Sequence, residues 1–169
     1  MEKPDIIIVD ENDNIIGHKK RGTLDKKDIY RVSALWIQNP KGDILLAQRK
    51  FTKKHHPGRW GPAVAGTVDE GETYEDNIIK ETEEEIGLKG CPLKKSYKMK
   101  NIGEHNHFTQ WFTLIIDKDI SEFTIQEDEV ERIKWFTKEE LLQELKENPD
   151  KFLESMSWCV ERFSEKSQK

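Results

Sequence analysis

The sequence predicts an α/β domain, and three observations carry that expectation. Strand-like apolar runs recur from Ile6 to Phe136, one capped helical segment interrupts them between Thr73 and Gly87, and helical periodicity takes over after Thr137. With 169 residues the chain is long enough to bury a sizeable core, because domains cluster around roughly 100–150 residues. A single domain over 1–169 is expected, since neither an internal repeat nor a low-complexity linker divides it.

Ile6 to Val9 reads as a first strand. Glu11-Asn12-Asp13-Asn14 gathers turn formers before a short strand around Ile15, giving an N-terminal hairpin within residues 1–20. Tyr30 to Gln38 and Ile44 to Arg49 make a second hairpin across Asn39-Pro40-Lys41-Gly42-Asp43. Lys50 to Pro62 reads as one long loop, and loops of that length usually carry function. Ala63 to Val68 is a short strand. Thr73 with Asp76 then forms a capping box that opens a helix to about Ile86, and Gly87 stops it.

Leu93 to Lys100, Phe108 to Ile116 and Arg132 to Phe136 complete the strands. Thr137-Lys138-Glu139-Glu140 reads as another capping box, opening a helix with Leu141, Leu142 and Leu145 that Asn148-Pro149 ends. Phe152, Met156, Val160 and Phe163 form an amphipathic stripe, and the polar tail 164–169 is expected to fray.

Charged residues are 36% of the chain, yet the net charge is only -5. Such mixed charge does not mark a nucleic-acid or membrane-surface binder. The apolar run Ile6–Val9 is far too short for a signal-peptide core or a membrane span. Cys91 and Cys159 are too few for a disulfide framework or zinc cluster and read as plain thiols. A reducing, cytoplasmic location follows as an expectation.

The segment Tyr74–Ile86 carries the chemistry. With Glu81 at zero on a helical wheel, Glu85 falls at about 40° and Glu84 at about 300°, so the three carboxylates share one face. Ile78, Ile79, Thr82 and Ile86 border that face, which sets the acids at the edge of the core. Like charges three and four residues apart repel by roughly 0.2–0.5 kcal/mol a pair. The wheel places Lys80 beside Glu84 and leaves Glu81 and Glu85 without a helix cation, so a hard divalent ion with oxygen ligands suits them. A run such as Glu83-Glu84-Glu85 alone would read as a solvated face; its flanking residues decide otherwise.

From Gly66 the chain reads GTVDEGETYEDNIIKETEEEIGL, which resembles the Nudix box. Gly66, Glu72, Glu81, Glu84, Glu85, Gly87 and Leu88 match its fixed positions; Lys80 stands where Arg is usual and Thr82 where an aliphatic residue is usual. Pro57-Gly58-Arg59-Trp60 and the hairpin before it also look like the family's approach to the box. The resemblance implies an α/β/α sandwich with a mixed sheet and a loop–helix catalytic box. It implies hydrolysis of a diphosphate linkage, with magnesium as cofactor and manganese as a substitute. By the same resemblance Glu81 and Glu85 are metal ligands, Glu84 assists them, and the Ala65 carbonyl joins them. Lys80 would brace Glu72 more loosely than Arg would, since lysine offers a point charge instead of a planar fork.

Diphosphate cleavage by water needs charge neutralisation at the phosphoryl oxygens and a base for the nucleophile. Glu84 and Glu129 are the candidate catalytic acids, with Glu127 beside Glu129; a solvated acidic turn is the plainer account of that pair. Arg49, His55, Arg59 and His107 are candidate substrate-binding residues, with Lys53, Lys54, His56 and His105 nearby in sequence, although solubility alone would also explain the loop cations. Trp60 reads as core. The expected partner is a small-molecule diphosphate, not nucleic acid or membrane, and homodimer formation stays open.

The region Ile6–Arg49 also resembles the isopentenyl-diphosphate isomerase branch of the superfamily. Those isomerases flank the box glycine with a cysteine and a histidine, where this chain has Ala65 and Thr67. Moving protons at an allylic carbon needs such groups. Tyr30 stands where that branch places a further metal-binding histidine, and His105 and His107 where it has acids. A binding module that keeps the fold without turnover is the third reading; the intact Glu81, Glu84 and Glu85 argue against it.

Overall fold

A computed structural model describes residues 2–165. The expected tail therefore falls mostly outside the described residues, and its first two residues, Ser164 and Glu165, end the last helix. Among the described residues, nine strands form one mixed sheet, with three α-helices on its faces. The fold is an α/β/α sandwich.

The strands are β1 (Ile6–Val9), β2 (Ile15–Lys19), β3 (Ile29–Gln38), β4 (Ile44–Arg49), β5 (Trp60–Pro62), β6 (Val64–Thr67), β7 (Lys94–Asn101), β8 (Asn106–Ile115) and β9 (Val130–Phe136). β3 is central. It pairs in parallel with β8 from Ile29↔Asn106 to Gln38↔Ile115. Along its other edge lie β1, β6 and β4 in turn, each antiparallel. β4 also pairs with β5 and β9, and this second group diverges from β6.

Side chains alternate along β3, and that alternation builds two cores. Leu35 and Ile37 face the helix α1 (Tyr74–Ile86), where Ile78 and Ile86 are fully buried. Ala34 and Trp36 face α2 (Lys138–Glu147) and α3 (Met156–Glu165), where Leu141, Met156, Val160 and Phe163 close over them. Burying one such large side chain contributes about 1.5–3 kcal/mol, so each helix is held mainly by its apolar stripe.

Three local expectations are corrected. Lys50–Pro62 is not loop throughout, because Trp60–Pro62 pairs with Gln48–Leu46. The second capping box is half made: Thr137 accepts from the Glu140 N–H, but the Glu140 carboxylate turns to Lys134 Nζ at 2.6 Å. Phe152 lies ahead of α3, bridging to Trp60.

Candidate active site

The acidic helix is fixed at both ends. At the start, Thr73 and Asp76 exchange capping hydrogen bonds of 3.0 Å each, and Ser33 Oγ donates to the Tyr74 carbonyl at 2.9 Å from the floor of β3. At the end, Gly87 adopts φ 72°, letting Leu88 N–H reach the Thr82 carbonyl at 3.3 Å. A Cβ on Gly87 would stand 2.9 Å from Thr124 Cβ, so the glycine also admits the β8–β9 connection. That connection binds the helix end through Gln126 N–H to the Glu85 carbonyl at 2.9 Å.

Glu81 and Glu85 turn toward β6. A Cβ on Gly66 would lie 2.5 Å from Glu81 Cγ and 2.8 Å from its Oε1, so only glycine lets that carboxylate rest on the strand. Val68 N–H donates to the Arg31 carbonyl at 2.9 Å, which sets the alternation of the β3–β6 ladder. Ala34↔Ala65 is then a pair without mutual hydrogen bonds. Ala65 consequently turns both its N–H and its carbonyl away from β3, and the N–H donates to the Glu85 carboxylate.

Burial pushes the Glu81 carboxyl up to about 7, with Lys80 opposing and Glu84 adding to the rise. Burial also pushes Glu85 up to about 8, reinforced by Glu81 and Glu129 and opposed by the Ala65 N–H and by Arg49. Two neighbouring carboxyls that resist ionisation form a site that favours a positive charge. Among the described residues no three His, Cys, Asp or Glu side chains make a complete metal cage. The donor set is instead two half-buried carboxylates and an outward backbone carbonyl. All are hard oxygens, and they fit a small divalent cation better than a soft metal.

The box loop is braced more firmly than lysine alone would allow. Lys80 bonds Glu72 and lies 3.3 Å from Asp69 Oδ2, while Arg21 from the segment after β2 binds Asp69 Oδ1. Buried Asn77 ties Glu72 to the Thr67 carbonyl, at 3.0 Å to each. Burial disfavours the Glu72 charge, but Lys80 and Asn77 outweigh it and hold its pKa below the ordinary value. Lys80 therefore serves Glu72, not Glu84 as the wheel suggests, and it stands 3.9 Å from Glu81.

The other sequence candidates divide. Glu129 lies close enough to raise the Glu85 pKa and is paired with Lys53 at 2.5 Å. The Arg49 charge opposes the rise of the Glu85 pKa, and its Nε donates to the His55 carbonyl at 3.0 Å. Arg59 influences His56, whose pKa burial lowers first and Arg59 and Arg49 lower further. Glu84 is exposed on the same helix face, and Glu127 is exposed on the β8–β9 connection. His107 stacks on Tyr30 with ring centroids 5.2 Å apart, and burial lowers its pKa; His105 meets His55 edge-on at 5.5 Å. Arg21 and Asp69 were not legible as site residues, since nothing in the sequence links positions 48 apart.

This loop–helix, held against a mixed sheet with its carboxylates facing an open strand edge, defines a Nudix-type protein. Residues 28–156 match the NUDIX domain family, and the chain belongs to that family. It is 31% identical to an uncharacterized Nudix hydrolase of Listeria monocytogenes, over 83% of both chains. Its fold is similar to the crystal structure of DR0079 from Deinococcus radiodurans, with a TM-score of 0.80, 21% identity, and 94% and 98% of the two chains covered. It is also similar to the NUDIX domain of Shewanella oneidensis NrtR, solved with ADP ribose, at a TM-score of 0.65 and 17% identity over 80% and 86% of the chains. Among the described residues, no helix is long and apolar enough to cross a membrane.

Proposed function

We propose that the chain hydrolyses the diphosphate linkage of a nucleoside diphosphate derivative or a related organic diphosphate, using magnesium or, as a substitute, manganese. The observation that carries this reading is the pair Glu81 and Glu85, desolvated together beside the outward carbonyl of Ala65. A divalent cation held there would neutralise diphosphate oxygens and acidify a water molecule.

The remaining work falls to the chain's own groups. Arg49 at the end of β4 and Arg59 beyond it supply positive charge, His55 on the loop between them supplies a ring N–H, and together they bind the substrate's anionic part. Glu129, held by Lys53, takes the proton of the attacking water, with Glu84 as the second candidate. As the water oxygen bonds to phosphorus, the bridging P–O bond breaks in line, and its oxygen leaves with the electron pair and is protonated. The products are two phosphate esters, or an ester and phosphate. A nucleotide-derived substrate is supported by the Shewanella domain, which was solved with a compound of that class. Free thiols at Cys91 and Cys159 suit a cytoplasmic location.

A panel of nucleoside diphosphate derivatives, with ADP ribose among them, tests the reading in magnesium, in manganese and in chelator. Cation-dependent release of a monophosphate is expected, reduced strongly in Glu129→Gln. Folded protein that cleaves none of the panel with either cation would overturn it.

A further inference from the structure

A cavity of about 410 Å³ opens between β4, β9 and α2, on the other face of the sheet from the acids. The sheet separates the two regions: Gln48 and Arg132 line the cavity, whereas Ala47 and Ile133, next to them on β4 and β9, pack into the core beneath α1. The volume lies within the roughly 300–1,000 Å³ typical of small-molecule sites.

Its walls are chemically specific. The Arg132 guanidinium lies 5.1 Å over the Trp60 ring, and its Nε donates to Gln48 Oε1 at 2.9 Å. Gln48 is itself fixed, because its amide donates to the Gly58 carbonyl at 2.9 Å. No carboxylate among the described residues pairs with Arg132, so its outer N–H groups stay available in a set plane. Lys151, also on the lining, forms no ion pair among the described residues either, while Lys134 is neutralised by Glu140. Phe51 stands at the rim, 65% exposed, with its ring laid against Gly58. An exposed aromatic beside a preoriented guanidinium is a platform for a planar ring joined to an anion.

We propose that this cavity binds a nucleoside monophosphate, at a site separate from the acidic helix. Arg132 and Lys151 take the phosphate, Phe51 stacks on the base, and the carboxylates of Glu140 and Glu144 accept from sugar hydroxyls. Three cations against two acids leave the lining one charge positive, which favours one phosphate over a polyphosphate chain. Glu140 and Glu144 also argue against a purely anionic occupant such as free phosphate.

Titration calorimetry with AMP on the whole protein in chelator tests the proposal, with adenosine and inorganic phosphate as the separate halves. AMP should bind the parent and Glu85→Gln alike, at least ten times more tightly than either half. Arg132→Gln and Phe51→Ala should each weaken it at least tenfold while melting as the parent does. Lys151→Gln, at an exposed side chain of the lining, should weaken AMP binding as well. No AMP binding at millimolar concentration, or binding lost in Glu85→Gln and kept in Arg132→Gln and Phe51→Ala, would overturn the assignment.

Discussion

Arg21, ahead of β3, binds the carboxylate of Asp69, and Lys80 of the box helix holds that carboxylate's other oxygen. Asp69 is only 7% exposed, so this is a partly buried network instead of a loose surface pair. It supplies from outside the box the guanidinium that the family pattern places at position 80. Arg21→Ala should cost about 0.5–1 kcal/mol of stability, the scale of a partly exposed ion pair. Turnover should fall by up to roughly tenfold, equivalent to about 1.4 kcal/mol, because the loop between β6 and α1, which carries Asp69, loses a tether. Adding Lys80→Arg should recover most of both, since its planar fork can span Asp69 and Glu72. A double variant no better than Arg21→Ala alone, in melts and in kcat, would reject this compensation.

Much of this was legible in the sequence, for identifiable reasons. Thr73, Asp76 and Gly87 are local signals, and they set the limits of α1 without tertiary help. Glu81 and Glu85 share a face by periodicity alone. Lys80 with Glu72 is legible from the box, whereas Arg21 and Asp69 meet only through the β1–β2 hairpin, a contact that no periodicity encodes. Trp60–Pro62 looked like loop because two of its three residues, Gly61 and Pro62, are strand breakers whose pairing depends on β4. Glu140 was assigned to its own helix cap, but Lys134 across the turn attracts it more strongly than a backbone N–H does.

The metal-free protein should lose stability as pH rises from about 4.5 to about 8. Burial lifts Glu81 to about 7 and Glu85 to about 8 from the ordinary 4.5, so the folded chain holds these protons more tightly than the unfolded chain does. Their contribution is complete below the unfolded pKa and disappears as pH climbs through the folded values. His56 and His107 push the other way near neutrality, since burial lowers their pKa values. Comparing the parent with Glu81→Gln and Glu85→Gln isolates the carboxyls: melts in chelator at pH 5, 6.5 and 8 should show a steeper decline in the parent. Parallel curves would mean that neither carboxyl is desolvated.

No isomerisation of isopentenyl diphosphate is expected. Ala65 and Thr67, at the positions where isomerases carry acid–base groups, flank Gly66 on β6. A methyl group cannot deliver a proton to an alkene, and a hydroxyl is far too weak an acid or base to replace the missing pair. Dimethylallyl diphosphate formed above background, with magnesium present, would contradict this.

Glu85→Gln separates the cost of the acidic site from its use. The change keeps the side chain's shape and the hydrogen bond from the Ala65 N–H, while removing one of two carboxylates that share a desolvated space. Without metal the variant should therefore be at least as stable as the parent at pH 8, where Glu81 is ionised and Glu85 is partway through its titration. Adding magnesium should reverse the order. An ion that binds only the folded parent at 100 times its Kd adds about 2.7 kcal/mol, and the variant, lacking a charged ligand, should gain much less. Turnover of the best diphosphate should drop by roughly 100-fold or more, the scale of losing one preorganised charge-stabilising group. Melts with and without magnesium, run beside phosphate-release assays on both proteins, read the two effects separately. Parental turnover together with an unchanged magnesium shift would place the metal away from Glu85 and remove the basis of the proposed chemistry.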